Sequence, residues 1–532
     1  EDVNHLAGRA GISIPEAHVE DFRLLLGGFD SIVESILSAD DGVTPVDTDR
    51  YPRTDIHVPD DTDKGGWATK VTARCTQPNS NLLHGRTVAL KDNIAFAGVR
   101  CTNGINAANW TPKIDATVAT RIMDAGATIT GKSACENSCL EGVSETSCTG
   151  LVHNPYADCY SCGGSSSGSG RLVATGSVDM AIGCDQGGQV HQIRYRMILT
   201  PYSSIRIPSS CCGIVGLKAT WGLIPYTGIL SLDATIDHAG PMTTSVRDAA
   251  LLLEAIAGPD GIDDRQPFSM KKEELNFVSK LDEFLESSPA SELLRGMKVG
   301  VLEEGFSGLN VKVDDVARQA IEKLRALGAE VEACSVSSHK EASVLLMCGP
   351  LIAGARQALL SDQTGRKQLY LTDRFPEKWG KMSQATFDAS GPGAQNLYLR
   401  HLLVDQKYGP LLNAKCANRL RKCTAEYDEV LARFDVLVMP TLPTPPSKLI
   451  PRDSPEGPLQ RLSRTAGLIM NTAPFNATGH PALTIPCGFS PADDDETIKL
   501  PVGLQIVGRR FADLDCLKVG AAWEKAHNWK EV

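Results

Sequence analysis

The feature that most constrains this 532-residue chain is a run of small residues, CGGSSSGSG, at positions 162–170. Glycine- and serine-rich runs are usually flexible linkers. Here, however, the run leads directly into the apolar segment RLVATGSVDMAIG and then into a second glycine turn, CDQGG, at 184–188. Buried elements on both sides would fix the run, and its glycines would let backbone N–H groups converge on an anion or a developing oxyanion. The pattern therefore predicts a rigid binding loop.

Phosphate-binding loops are the main alternative, since they are also rich in glycine. The chain has no GxxxxGK[ST] motif, and no GxGxxG opens a helix after a strand with an acidic residue about twenty positions later. The run instead carries consecutive hydroxyls, from Ser165 to Ser167. A loop rich in hydroxyls favours acyl transfer.

The organisation of the chain predicts an α/β fold. From about residue 80, short apolar strands alternate with helical stretches, as in RTVALK, DATVATRIMDAG and ATITGK. MKVGVLEE followed by VDDVARQAIEKLRALG repeats this rhythm, with Gly328 as a helix stop. Before residue 70, AHVEDFRLLLGGFDSIVESIL has apolar residues at three- and four-residue spacing. We therefore predict a helical N-terminal region, 1–70, and one large domain, 71–532.

Composition narrows the classes of function. The net charge of −11 argues against a nucleic-acid surface, which needs clustered Lys and Arg. No apolar run approaches the roughly 20 residues that span a bilayer, and EDVNHLAGRAG lacks a signal-peptide core, so we expect a cytoplasmic chain that does not contact membrane. The sixteen cysteines are expected to be reduced. Cys159 and Cys162 form a lone CxxC with no second pair at ligand spacing, so no metal site is predicted.

Three stretches of the chain, GRTVALKDNIAFAGVRCTNG, SCGGSSSGSGRLVATGSVDMAIGCDQGG and SIRIPSSCCGIVGLKATWGLIPYTG, resemble the signature stretches of the amidase-signature family. The likeness extends over about residues 70–530 and includes DHAGPMTTSVRDAALLLEAIAG and NTAPFNATGHPALTIPCG. Within the family, GLIPYTG and TIDHAGPM are most similar to stand-alone amidases of aliphatic and aryl amides. The resemblance implies one large core, a central mixed β-sheet covered by helices, and a hydrolase that uses neither metal nor cofactor.

The resemblance also implies a Ser–Ser–Lys triad. Its lysine, in the ALKDN motif, falls on Lys91, and its bridging serine, which the family holds through a cis peptide bond, falls on Ser165. The nucleophile, a serine directly before an IRIP-like segment, falls on Ser204. Because Lys91 ends the apolar strand TVAL, burial is expected to lower the pKa of its ammonium towards that of a usable base.

Supporting residues are implied by the same motifs. The backbone amides of Gln186, Gly187 and Gly188 would form the oxyanion hole. Asp185 is expected to organise that turn, and Ser166 is expected to be a hydrogen-bonding neighbour of the bridging serine.

One departure from the family pattern concerns the nucleophile. In the family, this serine follows Gly-Gly directly, whereas here fifteen residues, 189–203, lie between Gly188 and Ser204. Closing a loop of this length costs only roughly 2.4 kcal/mol, so folding should survive. A misplacement of about 1 Å can cost on the order of a hundredfold in rate, and the run Arg-Tyr-Arg at 194–196 should crowd the site. We therefore expect a folded chain with little or no amidase activity.

The inserted segment is compositionally foreign, because it is basic and carries no acid within an acidic chain. Its removal restores GCDQGGSIRIPSS. We interpret it as a retained intron or a misplaced exon boundary, and a regulatory loop is the alternative.

Other interpretations of the chain stay open. One is a catalytically impaired homologue, and another is a glutamine-dependent amidotransferase A-type subunit that requires partner subunits. A Ser-His-Asp triad with His238 or His480 is disfavoured, because neither residue accompanies a GxSxG elbow. The predicted partner is a small-molecule amide substrate, and a homodimer is kept as a candidate assembly.

Overall fold

The computed structural model describes residues 2–106, 110–187, 189–193, 196–200, 204–360, 365–374, 382–465 and 467–531, with the backbone alone for 189–193 and 196–200. The chain divides into two compact units, Glu1–Pro45 and Val46–Val532.

The first unit contains two helices, α1 (Val3–Arg9) and α2 (Glu16–Ser38). The Asp2 carboxylate caps α1 by accepting a hydrogen bond from the Asn4 amide at 2.9 Å. The helical prediction is therefore confirmed for these residues.

Beyond Ser38 the prediction that residues up to 70 are helical is wrong. Residues 39–70, all of which the structure describes, form no helix and instead supply β1 (Arg53–His57) and the start of β2 (Trp67–Ala73), which pair antiparallel in the main sheet. Pairing within a sheet decides the conformation of such short segments more strongly than their intrinsic propensity. The second compact unit accordingly begins at Val46, ahead of the boundary expected at residue 70.

The remaining strands of the described residues are β3 (Thr87–Lys91), β4 (Thr128–Ser133), β5 (Met180–Asp185), β6 (Gln189–Ile193), β7 (Arg196–Thr200), β8 (Val215–Lys218), β9 (His238–Thr243), β10 (Lys298–Leu302), β11 (Glu330–Cys334), β12 (Val436–Pro440), β13 (Ala482–Pro491) and β14 (Lys499–Gly508). Twelve strands form one sheet in the order β1-β2-β4-β3-β5-β9-β8-β13-β14-β12-β10-β11, and β6 and β7 form a separate two-stranded sheet. Parallel and antiparallel pairs both occur in the large sheet, as in β3 with β5 and β5 with β9. The predicted central mixed sheet is confirmed.

Helices of the second unit are α3 (Thr117–Asp124), α4 (Ser167–Ala174), α5 (Arg206–Cys212), α6 (Val246–Ile256), α7 (Phe277–Glu286), α8 (Val311–Ala326), α9 (His339–Cys348), α10 (Pro350–Leu360), α11 (Gln384–Ala389), α12 (Pro392–Lys407), α13 (Leu411–Leu431), α14 (Pro458–Ser463), α15 (Ala473–Thr478) and α16 (Asp513–Ala526). The largest core cluster joins one face of the sheet to α3, α6, α8 and α16. A smaller cluster joins the opposite face to α4 and α5.

The alternation of side chains along β3 decides where its last residue points. Val88 and Leu90 belong to the larger cluster, whereas Ala89 packs in the smaller cluster with α4 and α5. Successive side chains of a strand point to opposite faces. Lys91 therefore lies on the same face as Ala89, beneath α4 and α5.

One helical stretch of the described residues, His339–Leu360, is long and apolar enough to cross a membrane by length and composition, and most of it is buried inside the protein. Leu346, Met347 and Leu351 from this stretch lie in a core cluster, as in the core helix of a globular domain.

Candidate active site

Three polar side chains meet where β3, α4 and α5 approach one another. Lys91 is the last residue of β3, Ser165 lies just before α4, and Ser204 lies just before α5. Lys91 Nζ donates to Ser165 Oγ at 2.7 Å, and Ser165 Oγ donates to Ser204 Oγ at 2.6 Å. All three residues are fully buried, with 0% of their surface exposed. The structure thus brings the three residues of the expected triad into one hydrogen-bonded chain.

The glycines before Ser165 let the chain pass very close to its neighbours. The Gly164–Ser165 peptide bond is cis, in agreement with the family resemblance. A Cβ atom on Gly164 would lie 2.5 Å from the backbone oxygen of Glu141, which is too close for any side chain. The Ser165 carbonyl accepts a hydrogen bond from the Glu136 amide at 3.1 Å. Close backbone contacts therefore hold the bridging hydroxyl in place.

The glycine- and serine-rich run is a loop only in its first half. From Ser167 onwards it forms the first turn of α4. Ser166, predicted as a hydrogen-bonding neighbour of Ser165, instead bonds the backbone of β5: its hydroxyl donates to Cys184 O at 3.5 Å and accepts from Cys184 N at 3.4 Å. Ser166 thereby ties the start of α4 to the sheet.

The Lys91 amine is surrounded by polar atoms and sulfur. Besides Ser165, its Nζ donates to the Cys184 carbonyl at 3.4 Å. Burial acts to lower the pKa of the Lys91 ammonium, but the neighbouring thiols, above all that of Cys139, hold it above its ordinary value. The expectation that this pKa is lowered is therefore wrong, because no motif indicated that thiols would surround the amine.

Cys139 is a residue that the sequence motifs missed. Its buried thiol donates to Asn103 Oδ1 at 3.3 Å, and its pKa responds to the Lys91 charge and the Ser165 hydroxyl. Burial acts to raise the pKa of this thiol, but the Cys135 hydrogen bond, the Lys91 charge and the Ser165 hydroxyl lower it to about 6. Only a three-dimensional structure reveals this contact, since Cys139 belongs to none of the motifs that point to the site.

Asp185 fixes the segment that comes after Ser204. Its carboxylate pairs with the Arg206 guanidinium at 3.0 Å, and both side chains have no exposed surface. It also accepts hydrogen bonds from the Ile205 amide at 3.4 Å and from Asn476 Nδ2 at 2.8 Å. The carboxylate thus links the end of β5 to the start of α5. Whether it also organises the glycine turn stays a prediction.

The glycine turn after β5 carries the predicted oxyanion amides. Gly187 has a φ of +71°, a conformation that glycine adopts without strain. The Gln186 side chain is buried, and its Nε2 donates to the Tyr226 hydroxyl at 3.1 Å and to the Leu230 carbonyl at 3.3 Å. Gly188 lies outside the described residues.

The inserted segment forms an antiparallel hairpin of β6 and β7, in which Gln189 pairs with Thr200. Paired strands lie about 4.8 Å apart, so Gln189 and Thr200, at the two ends of the hairpin, are neighbours. The expected displacement of Ser204 is not seen, since its hydroxyl contacts Ser165. Arg194 and Tyr195 lie outside the described residues, and no side chain of 189–203 is described, so crowding by this segment stays a prediction.

A small cavity of about 70 Å³ adjoins the turn and is lined by Tyr226, Ile229, Leu230, Gln357, Tyr370 and Arg374, among others. It shares Tyr226 and Leu230 with the hydrogen bonds of Gln186. The Gln357 side-chain oxygen is buried and has no hydrogen-bond partner in the part of the chain that the structure describes. The cavity thus offers an unused acceptor on the side of Tyr226 and Leu230, the residues that bind the Gln186 side chain.

The two histidines weighed as triad members have structural partners instead. His238 Nδ1 lies 2.9 Å from the Ile236 carbonyl, and His480 bridges Thr478 and Asp428.

All sixteen cysteines are free thiols. Within the described ranges, no group of three or more His, Cys, Asp or Glu side chains could hold a metal ion.

Comparisons with known proteins show the family of this chain. Residues 64–517 match the protein family described as Amidase. The chain is 38% identical to an enantioselective amidase from Rhodococcus rhodochrous, with 86% of this chain and 82% of the relative covered. It is 31% identical to the A-type subunit of glutamyl-tRNA(Gln) amidotransferase from Haloarcula marismortui, with 83% of this chain and 95% of the relative covered. It superposes on native peptide amidase from Stenotrophomonas maltophilia with a TM-score of 0.62 and 26% identity, over 84% of this chain and 83% of that one.

The buried ion pair of Asp185 and Arg206 generates a prediction about stability. Asp185→Asn leaves the guanidinium buried without a counter-charge, which should lower the free energy of unfolding by about 3–5 kcal/mol. Urea denaturation of the purified variant measures this loss. The control is Asp158→Asn, which breaks an exposed ion pair with Lys64 and should leave the urea midpoint nearly unchanged. Equal losses in the two variants would contradict the role given to Asp185.

Proposed function

Because this chain belongs to the amidase signature family, it is a hydrolase that acts on amide carbon–nitrogen bonds, and we propose that it converts a carboxylic amide to the acid and ammonia through an acyl-enzyme. Ser204 is the nucleophile, Ser165 the proton bridge and Lys91 the base. The observation that carries this proposal is the unbroken chain of hydrogen bonds from Lys91 through Ser165 to Ser204, at 2.7 and 2.6 Å.

In the first half of the reaction, Ser204 Oγ attacks the amide carbon. Its proton passes to Ser165 Oγ as the Ser165 proton passes to a free amine at Lys91 Nζ. A hydroxyl both donates and accepts, and its hydrogen rotates to suit, so Ser165 can serve both directions of transfer. The proton then returns along the same path to the leaving nitrogen, and ammonia departs. Activation by an adjacent base is what a serine needs to become a nucleophile near neutral pH.

The negative charge that develops on the substrate carbonyl oxygen requires hydrogen-bond donors that stabilise it. We assign this role to the backbone amides of Gln186, Gly187 and Gly188, with one such donor typically worth about 3 kcal/mol of transition-state stabilisation. Asp185 supports the site by holding the start of α5, and Ser166 supports it by holding α4 against β5. In the second half of the reaction, water takes the place of the amine and releases the acid. None of these steps uses a metal or a cofactor.

The proposed substrate is a small-molecule amide with an aliphatic or aryl acyl group. The cavity beside Gln186 is the proposed acyl pocket, since Tyr226 and Leu230 line it and contact the oxyanion turn. The Rhodococcus rhodochrous relative supports an amide substrate by its name, enantioselective amidase. We further propose a cytoplasmic enzyme that binds neither nucleic acid nor membrane, with a homodimer as its candidate assembly.

A second candidate function is that of an amidotransferase A-type subunit, which the 31% identity to the Haloarcula marismortui protein favours. Such a protein releases ammonia from glutamine within a complex. Size-exclusion chromatography of the purified chain, with glutamine and simple amides assayed in parallel, separates the two functions. Efficient hydrolysis of simple amides by the chain alone supports the amidase.

The role of Lys91 generates the first prediction on activity. Lys91→Ala should abolish amide hydrolysis, and Lys91→Arg should not restore it, because a guanidinium stays protonated and cannot accept a proton. Ammonia release measures the activity, and the thermal unfolding midpoint shows that each variant folds. An arginine variant with near wild-type kcat would rule out a base at this position.

An acyl-enzyme should partition between nucleophiles. Hydroxylamine added to a short or aromatic amide should therefore yield the hydroxamate alongside the acid. The products are separated by chromatography, and Ser204→Ala is the control that should give neither. Formation of acid alone at saturating hydroxylamine would indicate direct attack by water.

The hairpin of β6 and β7 interrupts the covalent link between the oxyanion turn and the nucleophile. Ser204 already contacts Ser165, so what the interruption can disturb is the alignment of the proposed oxyanion amides with the nucleophile. Deleting residues 189–203 joins Gly188 to Ser204 and should raise kcat by about a hundredfold or more, a figure taken from the cost of misplaced oxyanion donors. A matched control replaces Arg194, Tyr195 and Arg196 by alanine, which reduces bulk and charge but keeps the interruption. Equal activity of the deletion variant and the full chain would mean that the hairpin is a tolerated loop.

A further inference from the structure

Glu136 is a carboxyl group buried close to the bridging serine, and it takes part in none of the steps proposed above. The residue has no exposed surface. Its Oε1 accepts a hydrogen bond from the Ser167 hydroxyl at 2.6 Å, and its Oε2 accepts from the Thr146 amide at 2.6 Å and from the Thr146 hydroxyl at 2.8 Å. Three hydrogen bonds from two separate segments therefore compensate for the burial of this group.

The same residue holds the chain at the bridging serine and again two residues later. The Glu136 amide donates to the Ser165 carbonyl at 3.1 Å, and the Glu136 carboxyl group binds the Ser167 hydroxyl. Between these two points, the Ser166 hydroxyl is bonded to the backbone of Cys184. The hydroxyls of Ser166 and Ser167 are thus both used in structural hydrogen bonds. Of the three consecutive serines, only Ser165 has its hydroxyl in the proton relay, the chain of hydrogen bonds that runs from the base to the nucleophile.

The segment from the end of β4 to Glu136 lies alongside the first turn of α4. Ser133 Oγ lies 2.7 Å from Ser169 Oγ, and the Gly168 amide donates to the Ala134 carbonyl at 3.0 Å. A Cβ atom on Gly168 would lie 2.5 Å from the Ala134 nitrogen, so the two segments are in close contact. The amide and the carboxyl group of Glu136 continue this row of hydrogen bonds. Glu136 therefore supplies the part of the row that reaches the bridging serine.

The placement of the bridging hydroxyl matters because it must serve two partners at once. Ser165 Oγ accepts from Lys91 Nζ at 2.7 Å and donates to Ser204 Oγ at 2.6 Å. A shift of the Ser165 backbone changes both distances. A misplacement of about 1 Å can lower a rate on the order of a hundredfold. Groups that fix the backbone around Ser165 therefore affect the rate at which the proton is transferred.

We propose that Glu136 is a positioning residue for the relay, because its carboxyl group, through the Ser167 hydroxyl, holds Ser165 between its two partners. This role rests on the function proposed above for the triad. In the described part of the chain, the carboxyl group bonds Ser167 and Thr146 and none of the three triad residues, so it orients the relay and transfers no proton. Because it acts on the relay and not on substrate binding, its loss should lower kcat and leave KM nearly unchanged.

The test measures kcat and KM for amide hydrolysis by Glu136→Ala and Glu136→Gln. Glu136→Ala should lower kcat by about tenfold or more, because the bridging serine loses its support. Glutamine keeps the size of the side chain. Its carbonyl can accept from Thr146, and its amide can donate to the Ser167 hydroxyl, which accepts as well as donates, so Glu136→Gln should stay within about threefold of the wild-type kcat. A glutamine variant as slow as the alanine variant would overturn the proposal, because hydrogen bonds would then not suffice.

Ser167→Ala removes the same link from its other end. It should also lower kcat with KM nearly unchanged. The double variant Glu136→Ala/Ser167→Ala should be no slower than Glu136→Ala, because the Ser167 hydroxyl has no carboxyl group to bind once Glu136 is replaced. Losses of kcat that multiply in the double variant would overturn the proposal, because the two residues would then act independently.

Asp513 provides a matched control at the start of α16. Its carboxyl group is buried and accepts hydrogen bonds from the Thr220 amide at 2.8 Å and from the Thr220 hydroxyl at 2.6 Å, the same pair of donors that Thr146 offers to Glu136. Asp513→Ala should lower the urea midpoint as Glu136→Ala does, because both variants leave buried donors without a partner. It should leave kcat unchanged. An equal loss of kcat in the two variants would overturn the proposal, because impaired folding would then explain both.

A covalent probe extends the test to the full chain even where turnover is slow. A fluorophosphonate reacts with an activated serine, so the rate at which Ser204 is labelled, measured by intact-protein mass spectrometry, reports on the relay without a substrate. Labelling should be slower by about tenfold or more in Glu136→Ala and missing from Ser204→Ala. Equal labelling rates in the wild type and Glu136→Ala would overturn the positioning role. Labelling of Lys91→Ala at the wild-type rate would instead overturn the proposed function, so the two failures are distinguishable.

Discussion

The site depends on the complete burial of one amine at the end of a strand. Lys91 Nζ has no access to water, so protein atoms must satisfy each of its hydrogens. The serine bridge and the carbonyl of β5 each accept one of these hydrogens, from two separate segments. The glycines before Ser165 matter for the same reason, because a side chain there would push the hydroxyl away from the amine. The burial of Lys91 therefore explains why Ser165 and the glycines before it occupy their positions in the sequence.

A second constraint holds the nucleophile independently of the chain that leads to it. The ion pair of Asp185 with Arg206 crosses from the end of β5 to the start of α5 and is closed off from solvent. Arg206 also donates to the Thr472 carbonyl at 2.9 Å and to Gln505 Oε1 at 2.8 Å, which anchors α5 to segments distant in the sequence. Ser204 lies just before this anchored helix. Its position is thus set by the helix after it more than by the segment before it.

The sequence predicted the elements whose pattern is local. The strand ending at Lys91, the helix with its stop at Gly328 and the mixed sheet all agree with apolar periodicity and with family motifs. It did not predict β1, which is a strand because β2 lies beside it. The prediction for Lys91 was also wrong. Burial suggested that the pKa of its ammonium is lowered, whereas the neighbouring thiols, above all that of Cys139, raise it. A sequence motif does not reveal contacts between segments that are distant in the sequence. For the same reason, the position of Ser204 after the hairpin could be established only from the structure.

The paired ends of the hairpin have a consequence for the length of this segment. Because Gln189 lies opposite Thr200 in an antiparallel pair, these two residues are neighbours whatever the number of residues between them. A segment of this shape can therefore be lengthened or shortened at its tip, by residues added or removed in pairs, without separating its two ends.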